Sequence, residues 1–309
     1  MSPIRTLDEL VAHLKGTPSK RVAVAAGHDE DTIQAAARAA AEDVAKMILV
    51  GDAARIRSLC ARFNLDYGLF EVIDEADEMA AGKKARDLVH AGQADVLMKG
   101  LIGTDKYMKL ILDKEKGLLP PGAVLSHLTV FDLPAYQKRH GKLLFGSDVA
   151  VIPAPDVPAK LKILEYCVDA AHSFGVEKPR VALLAANEKV SEKMQATLDA
   201  AVIAKMADRG QIKGAIVDGP LALDVALSPE ACEVKGVKSP VEGAADVLIF
   251  PNIESGNIFY KGATILAGAR LAAVVVGTSA PCVLTSRADD EESKFLSICL
   301  GCRLAGGKT

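Results

Sequence analysis

Ala245-Asp246-Val247-Leu248-Ile249-Phe250 runs into Pro251-Asn252-Ile253-Glu254-Ser255-Gly256-Asn257, and Ala272-Ala273-Val274-Val275-Val276 runs into Gly277-Thr278-Ser279-Ala280-Pro281 and, past a short run over 282–285, into Ser286-Arg287. In both places an apolar, strand-like run gives way to small polar residues. A helical pattern then follows, over 258–271 in the first case and from near Asp289 in the second. In a parallel sheet, turns at the strand ends set unpaired backbone N–H groups and helix N-termini side by side, which makes a ready anion site. The two stretches therefore point to a ligand that carries phosphate.

Working outward, the same alternation fills the chain. Strands are expected over 21–27, 47–50, 70–73 and 94–98. Between them come an alanine-rich helix capped by Asp29 or Asp31 and running to about Ala45, a helix from the Gly51-Asp52 cap to Phe63, and another over 75–91. Strands alternating with helices of ten or more residues imply parallel pairing through right-handed crossovers, an α/β fold. After a helix over 104–112, Pro120-Pro121 stops regular structure. Two further strands, 123–131 and 143–152, flank the charged stretch 137–142, which is either a first crossing between domains or a surface hairpin. The second half repeats the pattern: helix 157–173, strand 181–186, helix 192–209, strand 215–217 and a short helix 229–235. There is no fixed-period repeat and no low-complexity segment.

With 309 residues, 50% of them apolar, the chain can build one large unit or two modest domains, and two is the expectation. A formal charge of -3 and a pI of about 6.1 leave no basic footprint for nucleic acid. Five Tyr, eight Phe and no Trp also leave little to stack on bases. Asp8, Glu9 and Lys15 break the apolar positions of the N-terminal stretch, so it reads as an amphipathic helix rather than a signal or transit peptide. The most apolar segment, 263–284, is interrupted by Gly268, Arg270, Gly277 and Pro281 and is poor material for a membrane span. A soluble cytoplasmic protein is expected.

The cysteines at 60, 167, 232, 282, 299 and 302 follow neither a disulfide scaffold nor a zinc-knuckle spacing. Cys299 and Cys302 form a CxxC, but with Phe295 they recur at the spacing of a buried helix face, so they read as core. No HExxH, P-loop or GxGxxG pattern occurs, so no metal, nucleotide or dinucleotide site is expected.

The runs PNIESGNIFYK (251–261) and PCVLTSRADD (281–290), with VDGPLALD (217–224) and LMKG (97–100), resemble the phosphate acetyl/butyryltransferase family, and the likeness extends from about Arg21 to Leu304. The single-module length and the VLTSRAD form are more similar to the butyryltransferases of that family than to the acetyltransferases. The resemblance implies a two-domain, isocitrate/isopropylmalate dehydrogenase-like α/β fold, with mostly parallel sheets flanked by helices and an interdomain cleft. The domains are expected over 1–138 plus 277–309 and over 139–276, the last helix returning to the first domain. The resemblance also implies transfer of a short acyl group between coenzyme A and phosphate, with coenzyme A as co-substrate and no tightly bound cofactor. Homodimers or larger homo-oligomers are implied too.

Such a reaction needs a donor for the tetrahedral oxyanion, a cation for the phosphoryl group, and help for a thiol whose pKa near ~8.5 leaves little thiolate at neutral pH. By resemblance, Ser286 stabilises the transition state and Arg287 binds phosphate or acyl phosphate, and a guanidinium fork suits phosphate oxygens. Read without the resemblance, Arg287 could equally be a surface ion pair. The acetyltransferases carry an aspartate seven residues after the serine, where this chain has Ser293; Glu292 is the expected base, and Asp289, at a capping-box spacing, the expected helix cap.

In the other turn, Ser255-Gly256-Asn257 reads as a bend tolerant of positive φ, with Tyr260 and Lys261 in the first helical turn. A lysine there would oppose the helix dipole unless an anion is bound, although a solvated surface lysine is the alternative. The GNIxYK match carries Asn252, Gly256, Asn257, Tyr260 and Lys261 as substrate contacts. Lys99, after an apolar strand, is implied as a further cation, and none of Arg38, Arg55, Arg57, Arg62 or Arg86 aligns with the family's phosphate-binding arginines. Ser126 falls where a first-domain loop could face the cleft, whereas His127 reads as core and His28 as a turn residue. A metal- and NAD-dependent dehydrogenase on the same fold is the competing class.

Overall fold

The computed structural model describes residues 2–285 and 289–306. In chain order, α1 (Leu7–Lys15), β1 (Lys20–Ala25), α2 (Glu30–Ala41), β2 (Ala45–Gly51), α3 (Ala53–Phe63), β3 (Phe70–Asp74), α4 (Glu78–His90), β4 (Val96–Lys99) and α5 (Thr104–Ile111) alternate as the pattern requires. Next come β5 (Ser126–Asp132), α6 (Pro134–His140), β6 (Leu144–Ser147), α7 (Val157–Ser173), β7 (Arg180–Leu184), α8 (Gln195–Asp208) and β8 (Ile216–Leu221). The chain continues through α9 (Leu223–Leu227), α10 (Pro229–Lys235), β9 (Val247–Ile249) and α11 (Ile253–Ile265), and ends with β10 (Arg270–Val276), β11 (Cys282–Val283) and α12 (Glu291–Ala305).

Two compact units result: a central one, from the N-terminus to Thr6 and over Ser126–Arg270, and a terminal one, Leu7–Leu125 and Leu271–Thr309. These limits differ from the expected 138/139 and 276/277, for local reasons. β5 pairs antiparallel with β6, and the Tyr136 hydroxyl of α6 donates to the Ala245 carbonyl, which ties both elements to the central unit. Ile4 N–H donates to the Phe174 carbonyl at 2.8 Å, holding the first residues there as well. β10 pairs with β11 and so belongs to the terminal unit.

In the terminal unit the strands lie in the order β3-β2-β1-β4-β11-β10, parallel except for the last pair. Asp29, Asp52 and Asp77 each accept a backbone N–H at the start of α2, α3 and α4. Val22, Val24, Leu49, Val96 and Leu97 are wholly buried, each worth ~1.5–3 kcal/mol, against ~0–1 for surface pairs such as Lys15 with Glu42. Strand burial, not surface charge, therefore holds this unit together. α12 packs on α2 and α1, with the Arg38 guanidinium 4.0 Å from the Phe295 ring centroid and Arg303 Nη1 3.2 Å from His13 Nε2. Phe295, Cys299 and Cys302 are buried, as their spacing predicts.

In the central unit the order is β5-β6-β9-β7-β8, parallel except for β5 with β6. The stretch 137–142 is neither a crossing nor a hairpin loop but the body of α6 and its exit. Pro134 sits in its first turn, Lys138, Arg139 and His140 fill its last turn where the dipole favours cations, and Gly141 leaves at φ 62°. The helix after β9 also departs from expectation: it begins at Ile253 rather than 258.

Candidate active site

The terminal unit presents the ends of β4 and β11 side by side, with Cys282 opposite Leu97 and Val283 opposite Met98. Tyr107 of α5, fully buried, fastens the two strands: its hydroxyl donates towards the Leu97 carbonyl at 3.0 Å and the Val283 carbonyl at 3.1 Å. Burial pushes that phenol well above its ordinary range, so it remains a donor. Lys99 ends β4 only 2% exposed, its ammonium donating to the Gly100 carbonyl at 3.2 Å. Gly100 N–H donates to the Ala25 carbonyl, and a Cβ at Gly100 would stand 2.5 Å from the Ala26 oxygen. The turn after β4 thus lies backbone to backbone on the end of β1. His28, in the next turn, is 6% exposed and accepts the Asp52 N–H at Nδ1, 3.3 Å away.

From β11 the chain leads through buried Thr285 to Ser286 and Arg287, which lie outside the described residues. Beyond them Glu292 is half-buried in the first turn of α12. The cap of that helix is Asp290, whose carboxylate accepts the Ser293 N–H at 2.9 Å, and not Asp289 as the capping-box spacing suggested. Asp-x-x-Glu identified a helix start but placed it one residue early. Four of the arginines weighed for phosphate, Arg38, Arg57, Arg62 and Arg86, are engaged elsewhere. Arg86 is buried against Asp87 and Asp113, Arg38 pairs with Glu42, Arg62 with Glu30, and Arg57 lies over the Tyr67 ring.

In the central unit, the residues quoted first in the sequence hold a helix against a loop. Asn252 caps α11, its side-chain oxygen accepting the Ser255 N–H at 2.9 Å. Gly256 and Asn257 lie inside that helix, and neither has a positive φ, so the expected bend is absent. A Cβ at Gly256 would come 2.3 Å from the Asp148 carbonyl oxygen, and Asn257 Nδ2 donates to the Val149 carbonyl at 3.1 Å. The small side chain and the amide dock α11 on the loop after β6.

That loop is organised by Asp148. Its buried carboxylate accepts from the Ser126 hydroxyl at 2.9 Å and from the N–H groups of His127, Ala150, Val151 and Ile152 at 3.3, 2.8, 2.8 and 3.2 Å. Charge-assisted bonds of this number offset the cost of burying a carboxylate. Ser126 is itself buried and also lies 3.1 Å from the Ser147 hydroxyl. Tyr260 and Lys261 fall past the second turn of α11, not in its first, so the dipole argument for Lys261 does not apply. Lys261 is exposed, with its ammonium 5.0 Å from the Tyr260 ring centroid.

The structure therefore gathers Ser126, Asn252, Gly256 and Asn257 around one loop of the central unit, and it puts Lys99 and Glu292 in the terminal unit. Asp148, Tyr107 and Lys294 were not anticipated: each has at least one partner far away in the chain, Ser126 and His127 for Asp148, Val283 for Tyr107, and Asp29 and Asp31 for Lys294, and no local spacing reports that. Among the described residues no group of three or more His, Cys, Asp or Glu side chains could hold a metal ion, and no helix is long and apolar enough to cross a membrane.

The described residues give an α/β fold with a buried lysine at the end of one parallel strand, and similarity to known proteins supplies the class. The family model described as "Phosphate acetyl/butaryl transferase" matches residues 6–88 and 80–302. The chain is 43% identical over 305 residues to a phosphate butyryltransferase of Clostridium acetobutylicum, covering 99% of this chain and 100% of the relative. It is 41% identical over 294 residues to a phosphate acetyltransferase of Thermotoga maritima, covering 95% and 98%. A crystal structure of a branched-chain phosphotransacylase from Enterococcus faecalis superposes with a TM-score of 0.81 at 33% identity, over 93% of this chain and 99% of that one. The chain belongs to the phosphate acetyl/butyryl transferase family.

Proposed function

We propose that the chain catalyses butyryl-CoA + phosphate = butyryl phosphate + CoA. The observation that carries this reading is the end-to-end 43% identity to a phosphate butyryltransferase, together with the intact 281–290 motif. A phosphate oxygen attacks the thioester carbonyl, the C–S bond of the tetrahedral intermediate breaks, and CoA leaves as the thiolate. In the reverse direction the thiolate attacks the acyl phosphate and phosphate leaves. No acyl group is held on the protein. Ser286 donates to the developing oxyanion, Arg287 grips the phosphoryl oxygens, and Glu292 takes and returns the thiol proton.

In the terminal unit Lys99 adds positive potential at the end of β4. In the central unit Asn252, Gly256, Asn257, Tyr260 and Lys261 hold the substrates on α11, and Ser126 acts through the Asp148 loop. The reading extends to two domains of the isocitrate/isopropylmalate dehydrogenase-like kind and to a cytoplasmic homodimer or larger homo-oligomer. Coenzyme A enters only as co-substrate.

Acetyl transfer is the second reading, favoured by the 41% identity to a phosphate acetyltransferase. One methylene is worth only ~0.8 kcal/mol of burial, so the acyl pocket and not the motif decides. Incubation with butyryl-CoA or acetyl-CoA at equal concentration, with phosphate, while following free thiol, tests both. Arg287→Ala is expected to abolish thiol release with the fold intact; undiminished turnover in that variant would remove Arg287 from the mechanism.

A further inference from the structure

We propose that Lys294 is a positioning residue for the acyl-transfer site, fixing the chain just past Ser286-Arg287 against the start of α2; the assignment of a catalytic consequence rests on the function proposed above. Lys294 stands in the first turns of α12 and is 4% exposed. Its ammonium donates to the Asp289 carbonyl at 3.0 Å and to Asp31 Oδ2 at 3.4 Å, and lies 4.0 Å from Asp29 Oδ1.

On stability grounds the placement is poor. A buried ammonium loses its hydration, and near a helix N-terminus it faces the positive end of the macrodipole. Replacing a buried ion pair with apolar groups of similar volume is often neutral or stabilising, so the pair itself is weak evidence for a stabilising role. What the lysine does achieve is connection. Asp289 comes two residues after Arg287. Asp29 caps α2, accepting the Thr32 N–H at 3.1 Å, and α2 follows directly from β1, on whose end the Gly100 turn rests. Lys294 thus references the segment after Arg287 to the same strand end that supports Lys99. A second tether of reversed polarity, Arg38 with Glu291 at 3.6 Å, keeps the first turn of α12 on α2.

The test compares Lys294→Met, which keeps length and volume without charge, with Lys294→Arg. The Met variant is expected to keep its thermal midpoint and its KM for acyl-CoA while kcat falls on the order of a hundredfold, the scale of a small misplacement of reacting groups. Lys294→Arg should recover most of that loss, since a general loss of packing would not be rescued by charge. Undiminished kcat in Lys294→Met, or a loss that Lys294→Arg does not repair, overturns the proposal. Amide hydrogen exchange over residues 289–294 provides an arm that does not depend on the reaction. Protection should fall in Lys294→Met and return in Lys294→Arg, and unchanged protection overturns the positioning role. A parent protein that releases no thiol from either acyl-CoA would defeat the proposed reaction, leaving the exchange measurement to decide on Lys294.

Discussion

At the end of β4 and at the start of α11, a glycine lets one stretch of backbone lie directly on another, and a lysine stands close by in sequence. Gly100 rests on the carbonyls of Ala25 and Ala26, and Gly256 on that of Asp148. The lysines differ. Lys99 is 2% exposed and Lys261 is on the surface, so the first carries a desolvation cost in every state of the protein and the second carries almost none. The two places thus share a packing device and diverge in electrostatics: at β4 the cation is buried, whereas on α11 it faces solvent.

The packing half of this comparison has the largest expected effect. A Cβ at Gly256 would sit 2.3 Å from a backbone oxygen and one at Gly100 2.5 Å from another, distances that only backbone movement can relieve. Gly256→Ala and Gly100→Ala should each destabilise by about 1–3 kcal/mol or more, as overpacking does. Each kcal/mol corresponds to roughly 2–4 °C in the thermal midpoint for units of this size. Gly262, in the same helix as Gly256, has open space where its Cβ would go, so Gly262→Ala should be neutral or stabilising by up to ~1 kcal/mol. Equal midpoints for Gly256→Ala and Gly262→Ala would break the claim that close approach to the Asp148 carbonyl constrains position 256.

Next comes the electrostatic half. Lys99→Met is expected to leave unfolding in urea unchanged or shift it to higher concentration, because the desolvation cost disappears, while thiol release with phosphate collapses. Lys261→Ala should change stability by no more than about 0.5 kcal/mol, as exposed positions do, and raise KM with less effect on kcat. If Lys99→Met unfolds far more readily than the parent, the buried ammonium is a structural member, and the contrast with Lys261 is one of degree.

The same two places show what was legible in the chain. α10 was read at about its observed limits, and Ser228, Pro229 and Gly236 do mark its cap, first turn and αL exit locally. Alternation of strands and helices gave the α/β class, since parallel strands announce themselves by apolar runs. α11 was read to start five residues late: Ser255-Gly256-Asn257 has the composition of a turn, and only contact with Asp148 and Val149, more than a hundred positions away, makes it helix. α6 was missed for the converse reason, its Pro134 and Gly141 being outweighed by the charge of 137–142. The family motifs pointed to Lys99 and Asn252, whereas Glu292 was reached only as the nearest carboxylate to the motif position that Ser293 occupies. Tyr107 with Val283, Asp148 with Ser126, and Lys294 with Asp31 join groups whose closeness is a product of folding, so no linear pattern could have named these pairings.

The smallest expected effect sharpens the β4 side of the comparison. His28 lies in the turn after β1, tucked so close to β2 that a Cβ at Gly51 would meet its Nδ1 at 2.5 Å. Burial, and then the Arg55 charge, hold its pKa below the usual 6.5, against weaker opposing pulls from Asp52, Asp29 and Glu78. Well above pH 6.5 the ring is neutral in both states and contributes no pH dependence. As pH falls below 6.5, the unfolded chain takes up this proton before the folded one does, so stability declines until the folded ring titrates as well. His28→Asn keeps an acceptor for the Asp52 N–H and removes the titration. Between about pH 7 and pH 5 the parent's thermal midpoint should fall more steeply than that of the variant, the difference opening as pH falls through about 6.5. Parallel curves would mean that the turn after β1 admits enough water to charge His28 freely, and the picture of a dry strand end around Lys99 would lose its nearest independent support.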